Sequence, residues 1–383
     1  MQRGKSPTLQ TTAVKGIWCV KKHFWLYVFL CLVFCGLLEM VQAKSFIPPS
    51  HPHIQYLGRW DKSDSLHYRY SWPGVRIQAR FTGTSIGIRL ADSINYFNVI
   101  LDGAVLPVFH GKKTGLAEYI LAERLRDTVH TVSISRRNIT FGDPYTFGGL
   151  VLDEGAMLLE PPPLPKRKIE FIGDSFTAGE SDEATEQSLP GEARFPVTNI
   201  DRGFAPLVAH YFQAQYTTTC RSGSGLVCDW QGNETVSLPK WFDRVLMERE
   251  QPKWNFREWI PDVVVICLGL NDHSGLRGPD GKVPEVKSRL FRDTYHDFCT
   301  TLRRLYPGVV IVAVAAFPEW IRTNVRQVVD EEQTSGKRDI FYATFDEFTG
   351  GYVANGHPTV ETHRKMAQQL IETMKTFQLF KSE

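Results

Sequence analysis

The sequence predicts two folded parts: an all-β jelly roll or sandwich over residues 44–159, and an α/β domain over residues 167–383 with a flavodoxin-like parallel sheet between helices. Three observations predict them. Apolar residues alternate with period two through the first part. Four prolines crowd into Glu160-Pro161-Pro162-Pro163-Leu164-Pro165, which makes residues 160–166 a semi-rigid linker. Beyond it, short buried runs alternate with amphipathic stretches, the pattern of a doubly wound sheet.

Taken in order, residues 1–43 read as a signal peptide. Lys21 and Lys22 precede an apolar run from Phe24 to Leu38, 15 residues long, ended by Glu39. That length is short for a membrane span and suits a secretory h-region; Val41-Gln42-Ala43 offers a small-residue cleavage site. The expected destination is secretion or the periplasm, with a signal anchor as the alternative. The chain carries a net charge of +2, and removing this segment takes away five basic residues and one acidic. The remainder is near-neutral, and no basic block argues for nucleic acid. A composition of 42% hydrophobic and 22% charged residues excludes a disordered chain and a polytopic membrane protein.

In the first part, Val75-Arg76-Ile77-Gln78-Ala79-Arg80-Phe81 alternates strictly. So do the runs through Ile86, Ile88 and Leu90, through Phe97, Val99 and Leu101, and through Val132 and Ile134. Turn signals such as Trp72-Pro73-Gly74 and Asp102-Gly103 separate them, as in a sandwich or jelly roll. Gly83-Thr84-Ser85-Ile86-Gly87 matches the hydrolase pattern G-x-S-x-G, but no helix follows it, so it reads as a hairpin turn.

In the second part, strands are expected at Lys168–Ile172, Tyr216–Cys220, Asp262–Leu268, Val309–Val314 and Ile340–Phe345, and helices at Phe204–Phe212, Val286–Leu305 and Thr359–Phe377. Ligands of such sheets sit beyond the carboxyl ends of the strands. There the sequence places Gly173-Asp174-Ser175, Ser222-Gly223-Ser224-Gly225 and Gly269-Leu270-Asn271-Asp272, with Asn355-Gly356-His357-Pro358 before the last helix. Ser175 is the candidate nucleophile and needs a base; His357 titrates in the right range to serve as general base and acid. The oxyanion formed on attack needs donors, which the Ser175 N–H, a glycine N–H and the Asn271 amide would supply. Gly223 is the expected glycine, with Gly225 as its substitute. Taken alone, Asn271 or Asp272 also reads as a helix cap. Cys220 and Cys228 bracket a short loop that a disulfide could close, and Cys267 reads as a buried thiol. Asn138-Ile139-Thr140 and Asn233-Glu234-Thr235 are glycosylation sequons, meaningful in a eukaryotic source.

These blocks resemble the SGNH (GDSL) hydrolase superfamily. In the first part, Ile54-Gln55-Tyr56-Leu57-Gly58-Arg59, Ser71-Trp72-Pro73-Gly74 and Tyr96-Phe97-Asn98-Val99-Ile100-Leu101-Asp102-Gly103 are similar to the N-terminal jelly roll of carbohydrate esterase family 2. The resemblance implies a secreted serine esterase that deacetylates plant-type polysaccharides such as xylan or glucomannan through an acyl-enzyme. It implies an acetylated carbohydrate as partner, and no metal or organic cofactor. The alternatives are a GDSL esterase acting on other small acyl esters, and a carbohydrate-binding protein with an inactive hydrolase domain. One position departs from the resemblance: family members often carry Asp-x-His-Pro, and here Asn355 stands at the acidic position. Asn355 is then a candidate for orienting the imidazole through its amide; Asp346 and Glu347 are candidate acids, and a backbone carbonyl serves in members that work as a Ser–His dyad.

Overall fold

The computed structural model describes Met1, Gly4, residues 44–142 and residues 144–380. The expected signal segment lies outside the described residues apart from those two positions.

Alternation in the first part produces a sandwich of two antiparallel sheets. One sheet runs Tyr145–Asp153, Ile86–Asp92 and Lys113–Ala122, with Tyr68–Tyr70 beside the first of these. The other runs Arg76–Gly83, Thr128–Arg136 and Tyr96–Leu101, with Gln55–Leu57 and Leu158–Leu159 beside the first. Register aligns the apolar faces: Ile77 opposes Ile134 and Ala79 opposes Val132. Every second residue of Arg76–Gly83 is therefore buried, while the alternate Arg and Gln side chains point away from the core. Ile77, Phe81, Val99 and Ile134 of one sheet and Ile88, Leu90, Phe147 and Leu150 of the other join one core.

The G-x-S-x-G segment is not a hairpin turn as the sequence suggested. It carries the chain from one sheet to the other, since Arg76–Gly83 and Ile86–Asp92 belong to different sheets. Asp153 organises this corner by accepting from the Ser85 and Thr84 hydroxyls.

After residues 160–165, which have no regular structure, five parallel strands form the second domain: β1 (Arg167–Gly173), β2 (Ala214–Cys220), β3 (Val263–Cys267), β4 (Val310–Ala315) and β5 (Ile340–Thr344). Their order is β2-β1-β3-β4-β5. All of β3 is buried, which is why its sequence reads as an unbroken apolar run. The helices are α1 (Phe204–Tyr211), α2 (Leu238–Trp241), α3 (Leu270–Gly275), α4 (Glu285–Leu305), α5 (Glu319–Thr334) and α6 (Val360–Lys375). Helix α4 buries Ser288, Phe291, Tyr295, Phe298, Cys299 and Leu302, a stripe at helical spacing. Glu285 in its first turn and Arg303 and Arg304 in its last complement the helix dipole. Thr359 caps α6 by accepting from the Thr362 N–H at 3.1 Å. Helix α5 was not among the expected elements, although Ile321, Val325, Val328 and Val329 form its buried stripe. Its β-branched residues weaken the local helical preference, and packing overrides it.

Cys220, Cys228, Cys267 and Cys299 are all buried free thiols, so the loop between Cys220 and Cys228 is not closed by a disulfide. Of the two sequons, Asn138 is buried, with its Nδ2 donating to Asn95 Oδ1 at 3.2 Å, while Asn233 is exposed.

Polar contacts join the sandwich to the α/β domain. Arg59 is almost fully buried. It donates to the carbonyls of Phe242 and Arg244 and, at 3.3 Å, to Glu170 Oε1 on β1, and its guanidinium lies over the rings of Trp72 and Phe242. Asp201 accepts from Arg76 at 2.7 Å, Asn98 at 2.8 Å and Ser135, all from the sandwich. One apolar core is continuous across this junction, from Phe81 and Leu150 through Trp72 and Ile200 to Phe242 and Phe298. Arg59→Met should therefore cost about 3–5 kcal/mol, because it strands the Glu170 carboxylate in a buried setting. Urea unfolding checks this; a loss under about 1 kcal/mol would show that the pair is dispensable.

Candidate active site

In the strand order β2-β1-β3, the chain leaves β1 in one direction and reaches β3 on the other side. A crevice opens at that reversal, beyond the carboxyl ends of the strands. Three loops meet there, one from each of three neighbouring strands.

The loop after β1 carries Asp174 and Ser175. Asp174 is fully buried, and its Oδ1 accepts from the Phe176 N–H at 3.0 Å. The chain then coils tightly, with Ala178 N–H donating to Asp174 O and Glu180 N–H to Ser175 O, each at 3.0 Å. Gly173 is required at the strand end, because a Cβ there would stand 1.9 Å from Thr177 Oγ1. This coil leaves Ser175 half-buried and facing the crevice.

The loops after β3 and β2 are tied together by Asp272. Its fully buried carboxylate accepts from the N–H groups of Leu226 at 2.9 Å, Val227 at 2.7 Å and Cys228 at 3.4 Å. Gly225 is where the carboxylate comes closest: a Cβ there would sit within 2.6 Å of all three carboxyl atoms. The Gly225 N–H is already spent on Cys228 O at 2.8 Å, so Gly225 is not an available donor. Gly223 instead lines the crevice, in a left-handed conformation (φ +78°) with its carbonyl accepting from Trp230 N–H at 3.0 Å. Asn271 does not cap α3, whose N-cap is Gly269. Its Nδ2 lies 3.1 Å from both Asp174 Oδ2 and Ser224 O, which fixes the amide between the other two loops.

His357 comes from a short hairpin, Tyr352–Val353 against His357–Pro358. Its Nδ1 is 2.8 Å from the carbonyl oxygen of Ala354. The expected role of Asn355 is corrected here: its Nδ2 donates to Leu189 O at 3.1 Å, away from the ring. Asn355 occupies the left-handed region (φ +67°) between Ala354 (φ +32°) and Gly356 (φ +85°), where Asn is better tolerated than most residues. Asp346 and Glu347 do not substitute for it. Both are exposed, and the Asp346 carboxylate accepts from Gln369 on α6.

The cleft has a volume of about 590 Å³ and brings Ser175, Gly223, Asn271 and His357 to one wall. Phe176 and Phe317 also line it, and Ile139 and Phe141 of the sandwich close one side. A larger, shallower groove of about 780 Å³ runs along α5 and Tyr342 and shares no lining residue with the cleft. Sequence reasoning missed Glu180 and Arg194. Glu180 Oε2 stands 3.7 Å from His357 Nε2, and its Oε1 is held by Arg194. The only signal for Glu180 was its place five residues after Ser175.

Burial pushes Asp174 up to about 7, with the charges of Asp272 and Glu180 adding to the effect and the Phe176 N–H opposing it. Burial likewise raises Asp272 to about 6, against the three N–H groups that favour its ionised form. Both stand above the values of the unfolded chain, so the unfolded state gives up these protons first. Folding stability should fall as pH rises from about 4 toward 7. Asp174→Asn should reduce that pH dependence between about pH 4 and 7, read from thermal melts. It should also slow turnover, since a second amide would face Asn271 Nδ2. An unaltered pH dependence would place the linkage elsewhere.

Comparison with known proteins agrees with this architecture. The model of the GDSL-like Lipase/Acylhydrolase family matches residues 171–370, and that of the carbohydrate esterase 2 N-terminal domain matches residues 56–162. The chain is 29% identical over 338 residues to the cellulase/esterase CelE of Acetivibrio thermocellus, covering 85% of this chain and 39% of that protein. It is 35% identical over 229 residues to an acetylxylan esterase/glucomannan deacetylase of Cellvibrio japonicus, covering 59% and 62% respectively. The chain thus spans less than two thirds of either relative. Among solved structures, a family two carbohydrate esterase from Clostridium thermocellum in complex with cellohexaose superimposes with a TM-score of 0.75 at 27% identity, covering 84% of this chain and 98% of that one. One from Cellvibrio japonicus gives a TM-score of 0.77 at 25% identity, covering 88% and 98%. With Ser175, Asn271 and His357 all within the residues that the family model spans, the chain belongs to the GDSL-like lipase/acylhydrolase family and carries a carbohydrate esterase 2 N-terminal domain ahead of it.

Proposed function

We propose that the protein is a carboxylic ester hydrolase, an exported serine esterase that removes acetyl groups from plant-type polysaccharides or oligosaccharides such as acetylated xylan or glucomannan. The observation that carries this reading is the convergence of Ser175, Gly223, Asn271 and His357 on one cleft from four separate chain segments. The acylated carbohydrate is inferred from what the named relatives act on, and export from the N-terminal apolar run.

In this mechanism Ser175 Oγ attacks the acetyl carbonyl while His357 Nε2 takes its proton. The Ala354 carbonyl accepts the Nδ1–H and so fixes the tautomer that leaves Nε2 basic. Negative charge on the carbonyl oxygen is met by the N–H groups of Ser175 and Gly223 and by Asn271 Nδ2, which keeps its bond to Asp174 and turns its second N–H from Ser224 O to the oxyanion. The imidazolium then protonates the sugar oxygen as its bond to the acyl carbon breaks, and water, deprotonated by the same imidazole, releases acetate while the proton passes back to Ser175 Oγ. A second reading, a carbohydrate-binding protein with an inactive hydrolase domain, is favoured by one observation: among the described residues no carboxylate stands at Nδ1 of His357.

Chromogenic acetate esters and acetylated xylan and glucomannan separate the readings. Ser175→Ala should abolish acetate release with the melting temperature intact; a rate within roughly tenfold of wild type would remove Ser175 from the mechanism. Propionyl and butyryl esters test the variant reading of a GDSL esterase for other small acyl groups, which predicts no preference for acetyl.

Asn271→Ala should lower kcat by about 10²–10³-fold with a smaller change in KM. A fall in thermal stability alone, with kcat preserved, would make Asn271 a strut between the loops and nothing more.

A further inference from the structure

His357 is held at Nδ1 by a neutral carbonyl, so among the described residues that side carries no charge to balance the one that the ring acquires when Ser175 gives up its proton. The balancing charge is on the opposite edge. Glu180 Oε2 stands 3.7 Å from Nε2, and Glu180 is 5% exposed. At that separation it is beyond hydrogen-bond range, so it acts on the ring through its field and leaves Nε2 open to the serine. Arg194, from the 3-10 turn Gly191–Val197, holds the other carboxylate oxygen. Without that anchor Glu180 would be free to close on Nε2 and compete with Ser175 for it.

We propose that Glu180 is a positioning residue for the ester hydrolysis proposed above: it stabilises the imidazolium from the Nε2 edge, in the role that a triad acid fills at Nδ1, and Arg194 sets its distance. The chain geometry couples this to the nucleophile. The Glu180 N–H donates to Ser175 O at 3.0 Å, so the carboxylate and the serine ride on one coil. Each side of the ring is accounted for. Glu180 and, behind it, Arg194 face Nε2. Asp174 lies near Glu180 at the end of β1 and acts on it through charge. His363 on α6 is fully buried, and burial with the nearby His357 holds it down at about 3, so it is neutral and contributes no competing charge. Ala354 supplies the carbonyl at Nδ1.

The inference rests on the esterase reading for its catalytic meaning, but its physical core can be read without turnover. Glu180→Gln keeps the shape and removes the charge. With 4-nitrophenyl acetate, kcat should fall roughly ten- to hundredfold at neutral pH with KM little changed. The acidic limb of kcat/KM should move to lower pH by about one unit, a tenfold weaker hold on the imidazole proton. In Ser175→Ala protein, which does not turn over, the His357 ring resonances should titrate at lower pH when Glu180→Gln is added. Should Glu180→Gln fail to fold, Glu180→Asp serves: it withdraws the charge by one methylene and should move the limb in the same direction by less. A limb and a ring titration that stay in place would overturn the proposal and leave Glu180 as a structural partner of Arg194. A wild-type protein without esterase activity, but with the ring titration shifted as expected, would instead overturn the esterase reading alone.

Discussion

Two carboxylates buried at the carboxyl edge of the sheet hold the site together. Asp272 collects three backbone N–H groups from the loop after β2, and Asp174 receives the amide of Asn271 from the loop after β3. Each joins loops that leave different strands of the sheet. Burial drives both toward the neutral acid and outweighs these donors, which is why Asp174 and Asp272 stand above the usual carboxylate range. Close packing beneath the loops explains two glycines. Gly225 makes room for the Asp272 carboxylate, and Gly173 for Thr177 beneath the serine loop. Packing of small residues under the loops thus aims Ser175 and Gly223 at one point.

The sandwich takes part in this arrangement. Arg137, buried at the end of a sandwich strand, donates to Thr198 O at 3.0 Å and to Glu183, and its carbonyl accepts from Ile200 N–H at 2.9 Å. These bonds brace residues 183–200, the stretch that supplies Arg194 and Thr198 to the cleft. Ile139 and Phe141 follow directly in the chain and form part of the cleft wall. The junction between the domains is therefore also one boundary of the site. A free-swinging first domain would remove both the wall and the brace.

Much of the fold was legible because its signals were local. Strict alternation through Ile77, Ala79 and Phe81, the apolar run of β3 and the proline cluster each follow from what one segment must bury or cannot pair. Ser175, Gly223, Asn271 and His357 were legible because a parallel sheet sends its loops to one edge. What escaped was non-local or carried by the backbone. The carbonyl of Ala354 has no sequence signature, since any residue supplies one. Asn355 drew attention as a side chain, whereas its φ of +67° is what the hairpin uses. Glu180 and Arg194 are 14 residues apart, and their pairing depends on how residues 181–193 fold back. The sheet-switching corner at Thr84 and Ser85 looked like a hairpin because local turn chemistry does not reveal which sheet receives the next strand.

The turn before His357 shows how a neutral partner can do part of an acid's work. Three successive residues with positive φ, Ala354, Asn355 and Gly356, reverse the chain so that the Ala354 carbonyl returns to the ring at 2.8 Å. For Ala354 and Asn355 this costs on the order of 1 kcal/mol each. The cost is offset where the turn is pinned: Ala354 N–H to Glu186 O at 2.8 Å, Asn355 N–H to Gln187 O at 2.9 Å and Asn355 Nδ2 to Leu189 O at 3.1 Å. A carbonyl held this way accepts the Nδ1–H and so orients the imidazole. It brings no net charge, so it leaves the ring's acquired charge to be met elsewhere. Residues 186–189 and Glu180 belong to the same excursion between β1 and α1, so the element that locks the neutral turn is also the one that brings a carboxylate to the far side of the ring.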